Sequence, residues 1–89
     1  MKIIKFGAIW CPGCLVMRNT WLNIRGKYKD IEIVDYDYDN DKDRLIEYSI
    51  EKKLPVIIFI DKDNNEVKRL VGEQSEKDLE KEILEVIDL

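Results

Sequence analysis

Histidine is absent from this chain of 89 residues, and cysteine occurs only twice, at Cys11 and Cys14. A structural zinc site takes four ligands, usually cysteine and histidine, so one copy of the chain supplies only half a set. No Lys/Arg cluster stands out and the net charge is −4, which argues against a nucleic-acid surface. No apolar run approaches the ~20 residues that a membrane span needs. Internal repeats, linkers and low-complexity stretches are missing too. The N-terminal Met-Lys-Ile-Ile-Lys-Phe-Gly-Ala-Ile-Trp does not read as an export signal: Lys5 interrupts it, and it stops at the cysteines without a small-residue cleavage site. The expected compartment is therefore cytoplasmic. Thiols stay reduced there, and a close cysteine pair is more often catalytic or metal-binding than structural.

What is present suits a folded globule. Hydrophobic residues make up 45% of the chain, and charges of both signs are interspersed, so general disorder is not expected. The length fits a single domain, 1–89. Residues 2–9 read as a buried strand with Ile3, Ile4, Phe6, Ala8 and Ile9. Pro12 suits the first turn of a helix that runs to about Gly26, with Met17, Trp21, Ile24 and Tyr28 on one apolar stripe. Residues 31–38 form a second strand, and the acidic run after it offers N-caps for a short helix near 42–50, packed through Leu45, Ile46 and Tyr48. Val56–Ile60, an uninterrupted apolar block after Pro55, reads as a central strand buried on both faces. Asp61–Asn65 is turn chemistry, Glu66–Val71 is the return strand of a hairpin, and Gly72 ends it. Ser75 and Asp78 resemble a capping box for a last helix over 76–87, with Leu79, Ile83, Val86 and Ile87 inward. The order βαβαββα closes as an α/β fold: one mixed four-stranded sheet covered by three helices, its first strand–helix–strand unit parallel and right-handed.

The two thiols stand in Trp10-Cys11-Pro12-Gly13-Cys14, directly after the first strand. As a staple they gain little, because a four-residue loop is worth about 2 kcal/mol against about 3 for a 15-residue loop. As metal ligands they need a dimer that pools four thiolates around zinc or an iron–sulfur cluster. As a redox couple the spacing fits. Cys11 at a helix N-terminus is favoured as the thiolate, and Cys14 one turn on, partly shielded, can resolve the mixed disulfide that Cys11 forms.

Trp10-Cys11-Pro12-Gly13-Cys14 after a strand, Leu54-Pro55 before a buried strand and Val71-Gly72 before the last helix resemble the thioredoxin family, and the element order matches the thioredoxin fold over essentially the whole chain. The resemblance implies a sheet order of 2-1-3-4 and a thiol–disulfide oxidoreductase that reduces protein disulfides without a bound cofactor. It implies that Cys11 attacks, that Cys14 resolves, and that Pro55 follows a cis bond and lies against the cysteines. It places Trp10, Pro12, Gly13, Tyr38, Leu54, Val71 and Gly72 around the substrate, although Trp10 also reads as plain core. The implied partners are protein disulfides and a thioredoxin-reductase-type or glutathione recycling system, with no nucleic acid, no membrane and a monomeric chain. A glutathione-linked, glutaredoxin-like reductase and a dimeric metal-binding protein remain the alternatives.

Several departures carry expectations of their own. The chain begins at the cysteine-bearing strand, so the second strand becomes a sheet edge, guarded by Asp35, Asp37 and Asp39. Thioredoxins usually carry a buried carboxylate six residues before the attacking cysteine and a lysine on the neighbouring strand. Here the two positions hold Lys5 and Asp35, the charges exchanged. Lys5 and Asp35 are expected to meet beneath the cysteines, with Asp35 accepting the Cys14 proton; the alternative leaves Lys5 reaching to solvent and Asp35 as edge charge. Pro-Gly between the cysteines inverts the usual order, and the proline after the first cysteine is glutaredoxin-like. Asn19 replaces a mid-helix proline, which predicts a less kinked helix. No cation stands between the cysteines, which places the couple in the reducing half of the range of about −270 to −120 mV.

Overall fold

The structure, a computed structural model, describes residues 1–87. Its strands are β1 (Lys2–Gly7), β2 (Glu32–Asp37), β3 (Val56–Ile60) and β4 (Glu66–Val71). Its helices are α1 (Pro12–Val16), α2 (Arg18–Lys27), α3 (Lys42–Glu47) and α4 (Glu76–Ile87). The four strands form one sheet in the order β2-β1-β3-β4. β1 and β2 run parallel, while β3 is antiparallel to both β1 and β4. This is the expected order and mixture of directions.

Alternation along the central strands builds two cores. Ile3, Ile57 and Phe59 point to one face and pack with Met17, Trp21 and Ile24 of the first helical stretch and with Leu79, Ile83 and Val86 of α4. Ile4, Phe6, Val56, Ile58 and Ile60 point to the other face, where Leu45, Tyr48, Ile50 and Leu54 cover them. Every residue of β3 is buried, as an apolar block between two covered faces requires. Lys5 shares a strand and a side with Ile3, so the same alternation aims it at the helix carrying Trp21.

Four elements of the expectation change. The first helix is two helices, with Met17 between them at φ −81°, ψ 0°. The helical path still crosses the break, because the Met17 N–H reaches the Gly13 carbonyl at 3.2 Å and the Trp21 N–H reaches the Met17 carbonyl at 3.0 Å. Met17 is fully buried and its Sδ accepts the Gln74 N–H at 3.4 Å, so tertiary contacts, not proline, locate the irregularity. The helix count thus rises from three to four, with the break at Met17, two residues before Asn19. Ile46 is 80% exposed, since it neighbours Leu45 in a one-face helix and cannot point the same way. Ile87 at the end of α4 is half exposed, and β1 stops at Gly7, which leaves Ile9 in the loop at 86% exposure.

Candidate active site

β1 delivers the chain to a turn in which the Cys11 N–H bonds the Ala8 carbonyl at 3.1 Å. Cys11 then acts as N-cap of α1 with extended backbone, and Pro12 follows in the first turn. The Cys14 N–H donates to Cys11 Sγ at 3.2 Å. A hydrogen bond of this kind is strongest to an ionised sulfur. α1 has only five residues. The direct N–H donor, more than a long helix dipole, is therefore what favours charge on Cys11.

Both cysteines are free thiols. Burial pushes the Cys14 thiol up to about 11, and its hydrogen bond to Cys11 and the charge there push the same way. The Ala8 backbone and the Lys5 ammonium pull against that rise. Cys14 therefore holds its proton at neutral pH.

Exposure corrects one expectation. Cys11, expected to be the accessible sulfur, belongs to a residue only 4% exposed, whereas Cys14 is partly open. Gly7 presents no side chain to Cys14: a Cβ placed there would stand 3.2 Å from Cys14 Sγ. Cys14 consequently borders an open cleft whose other wall is β2, with Lys5, Ala8, Trp21 and Asp35 among its lining. No described element covers this edge of the sheet beyond β2.

The remaining site residues reach the motif from several segments. The Leu54–Pro55 bond is cis and Pro55 is buried. A Cβ on Gly13 would meet Pro55 Cδ at 3.2 Å and Glu73 Cβ at 3.5 Å, so both residues stand against the motif. The Gly72 N–H bonds the Pro55 carbonyl at 2.8 Å from a φ of +98°, a conformation that favours glycine. Val71 is half exposed beside it, Leu54 half-buried and Pro12 exposed. Trp10 is 52% exposed, so it is not a core residue. Its indole N–H donates to Asp39 at 2.8 Å and its ring meets Tyr38 edge-on at 5.5 Å. Tyr38 is fixed in turn by its N–H to the Gly7 carbonyl, 2.8 Å.

Lys5 and Asp35 do meet. They are direct partners in the parallel register of β1 and β2, and Lys5 Nζ lies 2.7 Å from Asp35 Oδ1. Lys5 also sits over the Trp21 ring, 4.9 Å from its centroid. Asp35 is less enclosed than expected, with its side chain 55% exposed, and Arg25 takes its other oxygen at 2.6 Å.

Four neighbours were not assigned to the site from the sequence: Gly7, Arg25, Asp39 and Glu73. For Gly7 a signal existed, since glycine inside a strand often marks a close approach by other atoms. The other three come from distant segments and left no local mark. Among the described residues, no group of three or more cysteines and carboxylates is arranged to hold a metal ion.

Comparison with known proteins follows the same lines. The model of the family described as Thioredoxin matches residues 1–85. The chain is 34% identical over 70 residues to Thioredoxin H5 of Oryza sativa subsp. japonica, covering 79% of this chain and 50% of that protein. It is 31% identical over 80 residues to a thioredoxin H-type of Picea mariana, covering 90% of this chain and 62% of the relative. It therefore spans between half and two thirds of the length of the curated relatives it matches. Among solved structures, the thioredoxin NaTrxh of Nicotiana alata superposes with a TM-score of 0.85 at 31% identity, over 94% of this chain and 70% of that one.

Proposed function

This chain belongs to the thioredoxin family, and we propose that it is a thiol–disulfide oxidoreductase that reduces protein disulfides through Cys11 and Cys14. The observation that carries this reading is the asymmetry of the pair. One sulfur receives a backbone N–H and the other retains its proton. Cys11 attacks a substrate disulfide as the thiolate, forming the Cys11–substrate bond and releasing the first substrate thiolate. The charge on Cys11 is then gone, and with it two of the causes that hold the proton on Cys14. Cys14 ionises and attacks Cys11 Sγ. The Cys11–Cys14 disulfide forms, and the second substrate thiol leaves with the electron pair.

Trp10, Pro12, Gly13, Tyr38, Leu54, Val71 and Gly72 form the surface on which the substrate segment docks. Pro55 supports it by packing against Gly13. A reductase of the thioredoxin-reductase type is the proposed source of electrons, and the cytoplasm, with its reducing poise, the proposed compartment for a monomeric chain.

Reduction of insulin at neutral pH tests the reading. The parent chain should accelerate precipitation of the insulin B chain well beyond a simple alkyl thiol, and Cys11→Ser should abolish the effect. Cys14→Ser should leave insulin chains covalently attached to Cys11. A parent chain no faster than the simple thiol refutes the assignment.

A further inference from the structure

The cleft beside Cys14 encloses about 460 Å³ and is open to solvent along the edge of β2. Its charged walls are Lys5 from β1, Arg18 and Arg25 from α2, Asp35 and Asp37 from β2, and Asp41 ahead of α3. Tyr36 and Cys11 are the other titratable neighbours. Lys5 differs from the rest of the cations. Its side chain is 23% exposed against 42% for Arg25, and it rises from a central strand into the cleft that Cys14 also lines. Asp35 and the Trp21 ring fix its head from two sides, at 2.7 and 4.9 Å. Asp35 is itself gripped at both oxygens, by Lys5 and by Arg25. A proton arriving on Asp35 would displace one of these cations.

We infer that Lys5 is the positioning cation of the resolving step: its ammonium, held by Asp35, stabilises negative charge on Cys14, while Asp35 takes no proton. This rests on the thiol–disulfide reading above and replaces the acceptor role that the sequence suggested for Asp35. The Cys14 proton passes to water in the cleft. The thiolate, in the cleft it shares with Lys5, attacks Cys11 Sγ, the Cys11–Cys14 bond forms, and the substrate sulfur departs with the electrons of the broken bond. Arg25 is the outer member of the chain: by occupying the second oxygen of Asp35 it leaves the Lys5 charge less fully neutralised. The ammonium already acts on Cys14 in the dithiol, in the direction that favours the thiolate.

Two measurements test this without relying on turnover. In a Cys11→Ser background only Cys14 can be alkylated, so the pH midpoint of its reaction with iodoacetamide reads its ionisation. Lys5→Gln should raise that midpoint by about half a unit, which leaves roughly threefold less thiolate at neutral pH. Lys5→Arg should restore it. In the chain with both cysteines, single-turnover release of thionitrobenzoate from its Cys11 mixed disulfide reads resolution. Lys5→Gln should slow this release about threefold, and Asp35→Asn should leave it at or above the parent rate. An alkylation midpoint unmoved by Lys5→Gln overturns the inference, as does resolution slower than the parent's in Asp35→Asn. Should Lys5→Gln fail to fold by circular dichroism, Asp35→Asn decides alone: a parent-like or faster rate supports the inference and a slower one overturns it. Insulin reduction by the parent chain stands apart, so exchange activity can survive the loss of this inference.

Discussion

Replacing Gly7 by alanine separates the geometry of the second sulfur from the stability of the fold. The new Cβ would stand 3.2 Å from Cys14 Sγ and 3.6 Å from Cys14 Cβ. Ordinary contacts between carbon atoms lie at about 3.5–4.0 Å, so the sulfur must retreat by a few tenths of an ångström. In a closed core, overpacking costs about 1–3 kcal/mol. Cys14 borders the open cleft and can move outward, which puts the cost near the low end, about 1 kcal/mol. Gly7 shows no positive φ, so alanine fits its backbone and recovers about 0.5–1 kcal/mol of chain entropy. The two effects nearly cancel, and urea unfolding should shift by no more than about 0.5 kcal/mol. Resolution should suffer far more, because the displaced sulfur moves away from the line of attack on Cys11. A misplacement of about 1 Å can cost about 100-fold in rate, so a few tenths should cost roughly threefold to tenfold. Stopped-flow release of thionitrobenzoate measures it. Parent-like resolution at parent-like stability would refute the claim that Gly7 seats Cys14. A stability loss beyond about 3 kcal/mol would show instead that the sulfur has no room on the cleft side.

Alkaline pH should destabilise the reduced protein through Cys14. Its folded-state value of about 11 lies above the ordinary thiol value of 9.0, so the folded state holds this proton more tightly than the unfolded chain does. The associated stability is whole below pH 9 and is lost as pH rises through 11. Solvent screening at a partly exposed group limits the loss to about 1 kcal/mol; comparing urea midpoints of the parent and Cys14→Ser across that window isolates it from the tyrosines and lysines. A parent curve parallel to the Cys14→Ser curve contradicts the assignment. On the rim, Asp39→Asn turns the charge-assisted bond that orients Trp10 into a neutral one, worth about 1 kcal/mol less, so kcat/KM for insulin should drop by about fivefold. Reduction of a small disulfide such as Ellman's reagent should not change, and an equal loss on both substrates would move Asp39 from docking to the chemistry.

The sheet was legible because its signals are local. Val56–Ile60 is apolar without a break, β1 alternates around Lys5, and the hairpin turn is spelled by Asp and Asn. The cysteine spacing, Pro55 before β3 and Gly72 after β4 could be read for the same reason. What could not be read depends on contacts between distant segments. The break at Met17 carries no proline or glycine beside it; it is set by burial and by a hydrogen bond from Gln74. The exposure of the two sulfurs depends on what stands in front of each one. Pro55 and Glu73 pack at the motif on one side, and a glycine with an open edge lies on the other. Lys5 and Asp35 could be paired in advance, since parallel register is nearly fixed by the strand pattern, but the third member, Arg25, reaches in from α2.

In the proposed exchange, the order in which the two sulfurs act follows from the site's tight hold on the Cys14 proton. Two interacting thiols titrate as a pair. The backbone N–H of Cys14 aims at Cys11, while burial acts on Cys14. The proton therefore stays on the sulfur proposed to act second, and the N–H favours charge on the one proposed to attack. A mixed disulfide consumes that charge, and the same burial now opposes a Cys14 no longer restrained by its neighbour, with the Ala8 backbone and Lys5 favouring ionisation. Premature ionisation of Cys14 is suppressed and timely ionisation is released by one event, the loss of the Cys11 thiolate. No conformational change is required for that switch, so it should survive any substitution that leaves both sulfurs in place and disappear in Cys11→Ser, where Cys14 should ionise at a lower pH than in the parent dithiol.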